Sequence, residues 1–224
     1  ANPKMRGLTA LIMYAFDNRT RLLPFLFADW RIIPAGVRAV ADSLDGAGLS
    51  KSRIVFQLWS PNVRPSHVLM ENRPPDILLV SSMQIHAQRA YELVADACSI
   101  PENKRPLILC GGPKSIYEPW DYFARGEDGT INADCCVTGE AYVMLQLIEM
   151  ILAHMGTGDS ARQAFFRARE SGALEDVPGL VYRVDPPGGR EAHLVDTGVQ
   201  RLVQYLDELP LPLAAYSRVE PPHK

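Results

Sequence analysis

Asp76-Ile77-Leu78-Leu79-Val80-Ser81-Ser82-Met83 decides the fold class of this chain. An acidic residue opens the stretch, four consecutive aliphatic residues follow, and small hydroxyl residues close it. An unbroken apolar run of that length, without polar alternation, reads as a strand buried on both faces, the kind found in parallel sheets. Residues 8–16 have the same form and end in Asp17. Residues 106–110 run straight into Gly111-Gly112-Pro113, and 133–138 into Gly139-Glu140. Residues 53–59 supply a fifth strand. Helical segments lie between these runs. Pro34 suits a first helical turn, 36–44 continue it, and Asp45, Gly46 and Gly48 end it. Residues 86–98 place Ala90, Leu93, Val94 and Ala97 on one helical face. Residues 115–125 and 141–154 are the remaining expected helices. Strands alternating with helices imply an open, parallel, five-stranded sheet with right-handed crossovers and helices on both faces, an α/β fold.

Beyond residue 155 the pattern changes. Residues 156–159 read as a linker and 160–171 as a charged helix. Residues 177–184 and 192–195 read as a small hairpin around Pro186-Pro187-Gly188-Gly189, and 199–206 as a final short helix. The proline-rich tail from Pro210 has little to pack and reads as a linker cut short. The expected division is therefore a main domain over 1–155 and a small α/β appendage with a connector over 156–224.

With a formal net charge of -3 the chain has no basic field for a nucleic-acid backbone, so nucleic acid is not an expected partner. The apolar run near 144–155 is broken by Gln146, Glu149 and His154 and is too short and polar to span a membrane. No signal peptide is read at the N-terminus. The chain does not begin with Met and reads as a fragment. The four cysteines, Cys98, Cys110, Cys135 and Cys136, fit neither a zinc ribbon nor a disulfide scaffold. They read as reduced thiols of a cytoplasmic protein. Adjacent Cys135 and Cys136 on a strand would point to opposite faces.

Ligands of open α/β sheets bind beyond the carboxyl ends of the strands. Three exits carry candidates here. Ser81-Ser82-Met83-Gln84 sets hydroxyls at one. Gly111-Gly112 allows a backbone to approach something closely at the second. Thr138-Gly139-Glu140 puts a small residue and a carboxylate at the third, where a helix starts. On one sheet edge, these exits form a shallow floor for a large, flat or extended ligand. Each also has a plainer reading: a tight turn for the glycines, helix caps for the serines, a dipole partner for Glu140. Neither a Gly-x-Gly-x-x-Gly nor a Gly-x-x-x-x-Gly-Lys-Ser/Thr pattern is present, which argues against nicotinamide dinucleotides and against a phosphate loop. The histidines are scattered without metal-ligand spacing, and only His86 follows a strand exit.

Taken in order, several motifs resemble the cobalamin-binding domain that precedes the catalytic barrel in cobalamin-dependent radical S-adenosylmethionine enzymes. They are Pro34-Ala35-Gly36, Asp76-Ile77-Leu78-Leu79-Val80-Ser81, Leu109-Cys110-Gly111-Gly112-Pro113 and Ala133-Asp134-Cys135-Cys136-Val137-Thr138-Gly139-Glu140-Ala141. Val177-Pro178-Gly179-Leu180-Val181-Tyr182-Arg183 and Leu206-Asp207-Glu208-Leu209-Pro210-Leu211-Pro212 follow, the latter like the connector before the radical domain. The resemblance implies a Rossmann-like, flavodoxin-like sheet holding a corrin and its nucleotide tail at the strand exits. Ser81, Ser82, Met83 and Gln84 would then face the tail or ring edge. Gly111, Gly112 and Pro113 would let the tail pass close to the backbone. Thr138, Gly139 and Glu140 would contact its nucleotide end, and the loop from Asp17 would lie near the lower face of the ring.

Two departures qualify what the resemblance implies. The Asp-x-His-x-x-Gly pattern of methionine-synthase-like domains is replaced by Asp17-Asn18-Arg19-Thr20-Arg21-Leu22, so no axial histidine is expected there. The CxxxCxxC signature is also absent. Three thiolates are needed to ligate an open 4Fe-4S cluster, so the cluster and S-adenosylmethionine are expected only in a further radical domain, the partner of this module. The implied role is to carry cobalamin for methyl transfer to carbon or related radical chemistry, without activity of this chain alone. A non-catalytic interaction module with a decayed cobalamin site and a flavodoxin-like flavin-binding domain stand as alternatives.

Overall fold

The computed structural model describes residues 7–20, 34–49, 51–123, 131–185 and 191–200, together with 203, 205, 207, 211 and 213–219. β1 (Thr9–Tyr14) lies between β2 (Lys51–Phe56) and β3 (Ile77–Ser81), and β4 (Leu107–Gly111) and β5 (Cys135–Val137) follow, all parallel. The expected five-stranded sheet is present but does not stop at β5. β6 (Leu180–Val184) pairs antiparallel with β5, and β7 (His193–Asp196) antiparallel with β6. The result is a single seven-stranded sheet in the order β2-β1-β3-β4-β5-β6-β7. The expected hairpin exists, and its backbone completes the edge that β5 would leave unpaired. The Pro186–Gly189 turn lies outside the described residues.

Among the described residues, five α-helices cover the sheet: α1 (Ala35–Gly46), α2 (Ala87–Cys98), α3 (Pro113–Tyr117), α4 (Ala141–Ala153) and α5 (Ala161–Glu170). Strand side chains alternate between two cores. Ile12, Leu79, Leu109 and Val137 pack under α1, α4 and α5, whereas Met13, Val80 and Cys110 pack on the α2 side. Cys135 and Cys136 divide between the two cores as the alternation requires. All four cysteines are free thiols. The reversal of strand order between β1 and β3 puts α1 and α2 on opposite faces, as right-handed crossovers demand.

Acidic residues before two strands have a common task. Asp76 accepts from the Thr9 N–H and hydroxyl at 2.8 and 2.9 Å, pinning the start of β1. Asp134 accepts from the Ile108 N–H at 2.9 Å, pinning the start of β4.

Three expectations need correction. The helix expected over 115–125 starts at Pro113 and stops at Tyr117, and a 3-10 turn over Pro119–Phe123 follows. Pro119 has no N–H for helix continuation and pushes Glu118 out of the helical region, to φ -142° and ψ 57°. Residues 124 and 125 lie outside the described residues. The helix expected over 199–206 is not seen: residues 199, 200, 203 and 205 are irregular, and its other residues lie outside the described residues. The tail does pack. Ala215 is fully buried, and Val219 bridges Ile54 in parallel on the outer edge of β2. Arg218 donates to the Ser52 hydroxyl at 3.0 Å and pairs with Asp45. Among the described residues, no helix is long and apolar enough to cross a membrane.

α5 is tied to the sheet by charge as well as by Phe165. Arg162 Nε donates to both carboxylate oxygens of Asp134 at 3.0 Å and also pairs with Glu102. Arg162→Met would leave the buried Asp134 carboxylate without its counter-charge. The expected cost is about 3 kcal/mol of unfolding free energy, read by urea denaturation. A loss under about 1 kcal/mol would mean that α5 is not coupled to the sheet through this pair.

Candidate functional site

The strand exits share one level. The register sets Tyr14, Ser81 and Gly111 side by side, and Cys110 beside Cys136, so the ends of β1, β3, β4 and β5 open on the same edge. Main-chain bonds continue the alignment into the loops. Ala15 N–H donates to Ser81 O at 2.9 Å, Ser82 N–H to Gly111 O at 3.3 Å, and Lys114 N–H to Ser82 O at 3.1 Å. Gly112 makes this possible. Its φ of +83° is a region side chains avoid, and a Cβ there would stand 2.6 Å from Ser81 Oγ and 3.0 Å from Ser82 O.

Beneath this edge, on the α1 and α4 face, lies a cavity of about 230 Å³. Its floor is Ile12, Leu79, Leu109 and Val137, and Val37 and Val40 of α1 and Met144 of α4 form its walls. Gly111, Gly112 and Gly139 line the rim. Among the described residues, only Ser81, Glu140 and Gln200 bring polar side chains to a lining that is otherwise apolar or backbone. The N-terminal turns of α1 and α4 both border the cavity, and neither N-cap side chain closes its own helix. The positive ends of two helix dipoles therefore meet at the rim, where they favour an electron-rich or anionic group.

Five of the sequence-predicted residues line this cavity: Ser81, Gly111, Gly112, Gly139 and Glu140. The others lie around it. Ser82 is fully buried on the opposite side, where its hydroxyl shares a 2.8 Å hydrogen bond with Tyr122. Met83 is exposed, and Gln84 Nε2 donates to Pro113 O at 3.4 Å, joining the β3 and β4 loops. Thr138 N–H donates to Gly179 O at 2.8 Å, attaching the β5 exit to the turn before β6. The segments after β3 and β4 also expose Ile85, Ile116, Tyr117 and Trp120, of which Ile116 lines the cavity.

Asp17 is committed within the chain. Its carboxylate accepts from Arg19 Nε at 2.8 Å and Nη2 at 2.9 Å, and the Arg19 guanidinium holds its pKa below the usual carboxylate value. Its N–H donates to His86 Nδ1 at 3.2 Å. His86 is buried, with its ring 4.3 Å from that of Phe16. Burial pushes its pKa down, so the neutral imidazole joins the β1 exit to the start of α2.

The motif reading missed two contributors. The α1 wall could have been inferred from Pro34, because a helix starting there must carry Val37 and Val40 over the exits. Gln200 had no such signal. Its side chain reaches the rim from the segment after β7, and its Oε1 accepts from the Glu140 N–H at 2.7 Å. Gly139 leaves room for it: a Cβ there would stand 2.5 Å from Gln200 Oε1 and 2.7 Å from Val143 Cγ2.

The two adjacent glycines are expected to respond differently to alanine. Gly112→Ala should cost about 2 kcal/mol or more in chemical denaturation, because both its φ and its surroundings reject a methyl. Gly111→Ala should stay within about 1 kcal/mol of the parent, since among the described residues its Cβ would meet nothing nearer than Val137 O at 3.8 Å. Equal losses would refute this account of the rim. The His86 environment predicts a pH effect. Below about pH 6.5 the unfolded chain takes up a proton that the folded imidazole resists, so stability falls as pH drops through that value. The Asp17 contribution is lost only below about pH 4. His86→Gln should flatten the stability profile between about pH 7 and 5, followed by urea midpoints; an unchanged slope would remove His86 as its source.

Comparison with solved structures finds likeness to the cobalamin-dependent S-adenosylmethionine radical enzyme OxsB. With aqua-cobalamin and S-adenosylmethionine bound, that structure has a TM-score of 0.61 and 17% identity. The match covers 94% of this chain and 25% of that one. With aqua-cobalamin alone the TM-score is 0.56 at the same identity and coverage. No protein-family model and no curated protein matches the chain. The likeness establishes a shared fold: the chain spans a quarter of the length of that enzyme and has the α/β architecture that its motifs implied.

Proposed function

We propose that this chain is a cobalamin-binding module of a larger radical S-adenosylmethionine enzyme. The observation that carries this reading is the cavity at the aligned exits of β1, β3, β4 and β5, in a fold shared with a cobalamin-dependent enzyme. At about 230 Å³ the cavity is smaller than pockets that enclose a whole drug-sized ligand, so it suits one limb of a larger molecule. Cobalamin divides in that way, into a broad corrin ring and a nucleotide tail.

The residues fit such a division. The apolar floor of Ile12 and Leu79 and the walls of Val37, Val40 and Met144 would hold the flat base of the tail. The N–H groups at the starts of α1 and α4 would face its phosphate and sugar. Gly111 and Gly112 would bring the main chain to the tail where it crosses the rim. The ring would lie over Met83, Ile85, Ile116 and Tyr117, whose exposure then has a purpose. Bound cobalamin supplies a cobalt centre for methyl transfer or related radical chemistry. This chain's share is to bind the cofactor, orient it and keep water from its buried limb. The radical-generating cluster belongs, on this reading, to a further domain, because the CxxxCxxC signature is absent here.

The test is retention of hydroxocobalamin. The purified chain is incubated with it, freed of excess by gel filtration, and its visible corrin absorbance is measured against protein. Near-stoichiometric retention is expected. Val40→Trp, which fills the α1 wall, should weaken retention at least roughly tenfold with little change in far-ultraviolet dichroism. If no corrin is retained by the parent chain, the cobalamin reading fails and a non-catalytic interaction module takes its place.

A further inference from the structure

We infer that Gln200 makes the cavity selective for corrinoids that carry a nucleotide tail, by donating a hydrogen bond from its side-chain amide to an acceptor atom of that tail. This rests on the cobalamin reading above and adds a recognition residue from outside the βα core.

The chemistry of the amide fixes its orientation. The Glu140 main chain offers an N–H, which only the carbonyl oxygen of Gln200 can accept, and the distance is 2.7 Å. Nε2 is therefore the atom left over, and among the described residues it has no hydrogen-bond partner. Gln200 lines a cavity whose floor and walls are apolar, with Ser81 and Glu140 as the only further polar side chains among the described residues. A neutral donor in that setting selects a ligand with an acceptor at the α4 end of the cavity, because a ligand without one would desolvate the amide uncompensated.

The side chain is also held in place. Two residues before it, Gly198 O accepts from the Gly179 N–H at 2.9 Å, and Gly198 N–H donates to Asp196 Oδ1 at 2.8 Å. Thr197 Oγ1 donates to Val177 O at 2.7 Å and accepts from the Leu180 N–H at 2.9 Å. The turn before β6 and the segment after β7 are thus locked together, and the locked pair delivers Gln200 into the space that Gly139 leaves open.

Paired measurements on the whole chain test this with cobalamin and with cobinamide, which has the same ring but no nucleotide. The parent is expected to bind cobalamin the tighter. Gln200→Glu keeps an oxygen for the Glu140 N–H and loses the donor; Gln200→Met loses both without adding charge. Both variants should weaken cobalamin roughly tenfold while cobinamide stays within about twofold, and Gln200→Glu should keep the parent's melting temperature. If either variant binds cobalamin as the parent does, or if both corrinoids weaken together, the inference is overturned. A parent that binds both corrinoids equally also overturns it but leaves cobalamin binding intact. A parent that binds neither overturns the cobalamin reading and this inference with it.

Discussion

The alignment of three strand exits by main-chain hydrogen bonds is the constraint on which the site depends. Ala15 to Ser81, Ser82 to Gly111 and Lys114 to Ser82 form a short ladder beyond the last paired residues of β1, β3 and β4. Such a ladder requires the β4 loop to turn within one residue and pass against the β3 loop. Gly112 meets both demands, since its positive φ makes the turn and the lack of a Cβ permits the contact. With the exits level, α1 and α4 can begin beside one another, and the cavity is the volume that their short first-turn side chains leave above Leu79 and Leu109.

Polar groups behind the rim hold this geometry from the far side. Ser82 turns away from the cavity to Tyr122, a fully buried residue of the turn after α3. Lys114, buried at the start of α3, reaches Glu118 and Asp121, each at 2.5 Å, and the Tyr91 hydroxyl of α2 donates to Asp121 at 3.0 Å. The β4 exit is thereby fastened to α2 and to the 3-10 turn. A rim made of glycine and serine gets its rigidity from such supports, because its own side chains are too small to pack.

Much of this was legible in the sequence, for identifiable reasons. Strands buried on both faces carry unbroken aliphatic runs, so β1, β3 and β4 stood out, and the small residues at their ends marked the ligand edge. The direction in which a small residue points was not legible. Ser81 and Ser82 are neighbours, yet one lines the cavity and the other serves the opposite core, a consequence of strand alternation continuing one residue past β3. The hairpin was read correctly as local structure, but its place in the main sheet depends on long-range pairing of Val137 with Leu180, which no local pattern encodes. The same holds for Gln200, a polar residue in an irregular segment whose position follows from β6 pairing with β5. The over-long helix at 115–125 was a local error, since Pro119 was present to end it.

The described residues after 155 share the sheet and the core of those before it. A separate appendage would contribute neither core nor site. Here α5 packs Phe165 fully buried in the same core as α4, and Arg162 neutralises Asp134, which in turn pins β4. The end of the described chain crosses to the opposite edge, where Val219 meets Ile54 of β2 and Arg218 reaches Asp45 of α1. The later residues thus hold both edges of the sheet, and at Gln200 they supply part of the cavity wall. A cavity bounded by α1 on one side and by the post-β7 segment on the other can exist only when the first and last parts of the chain are folded together. Anything that binds in it must stabilise that union as well as its own contacts.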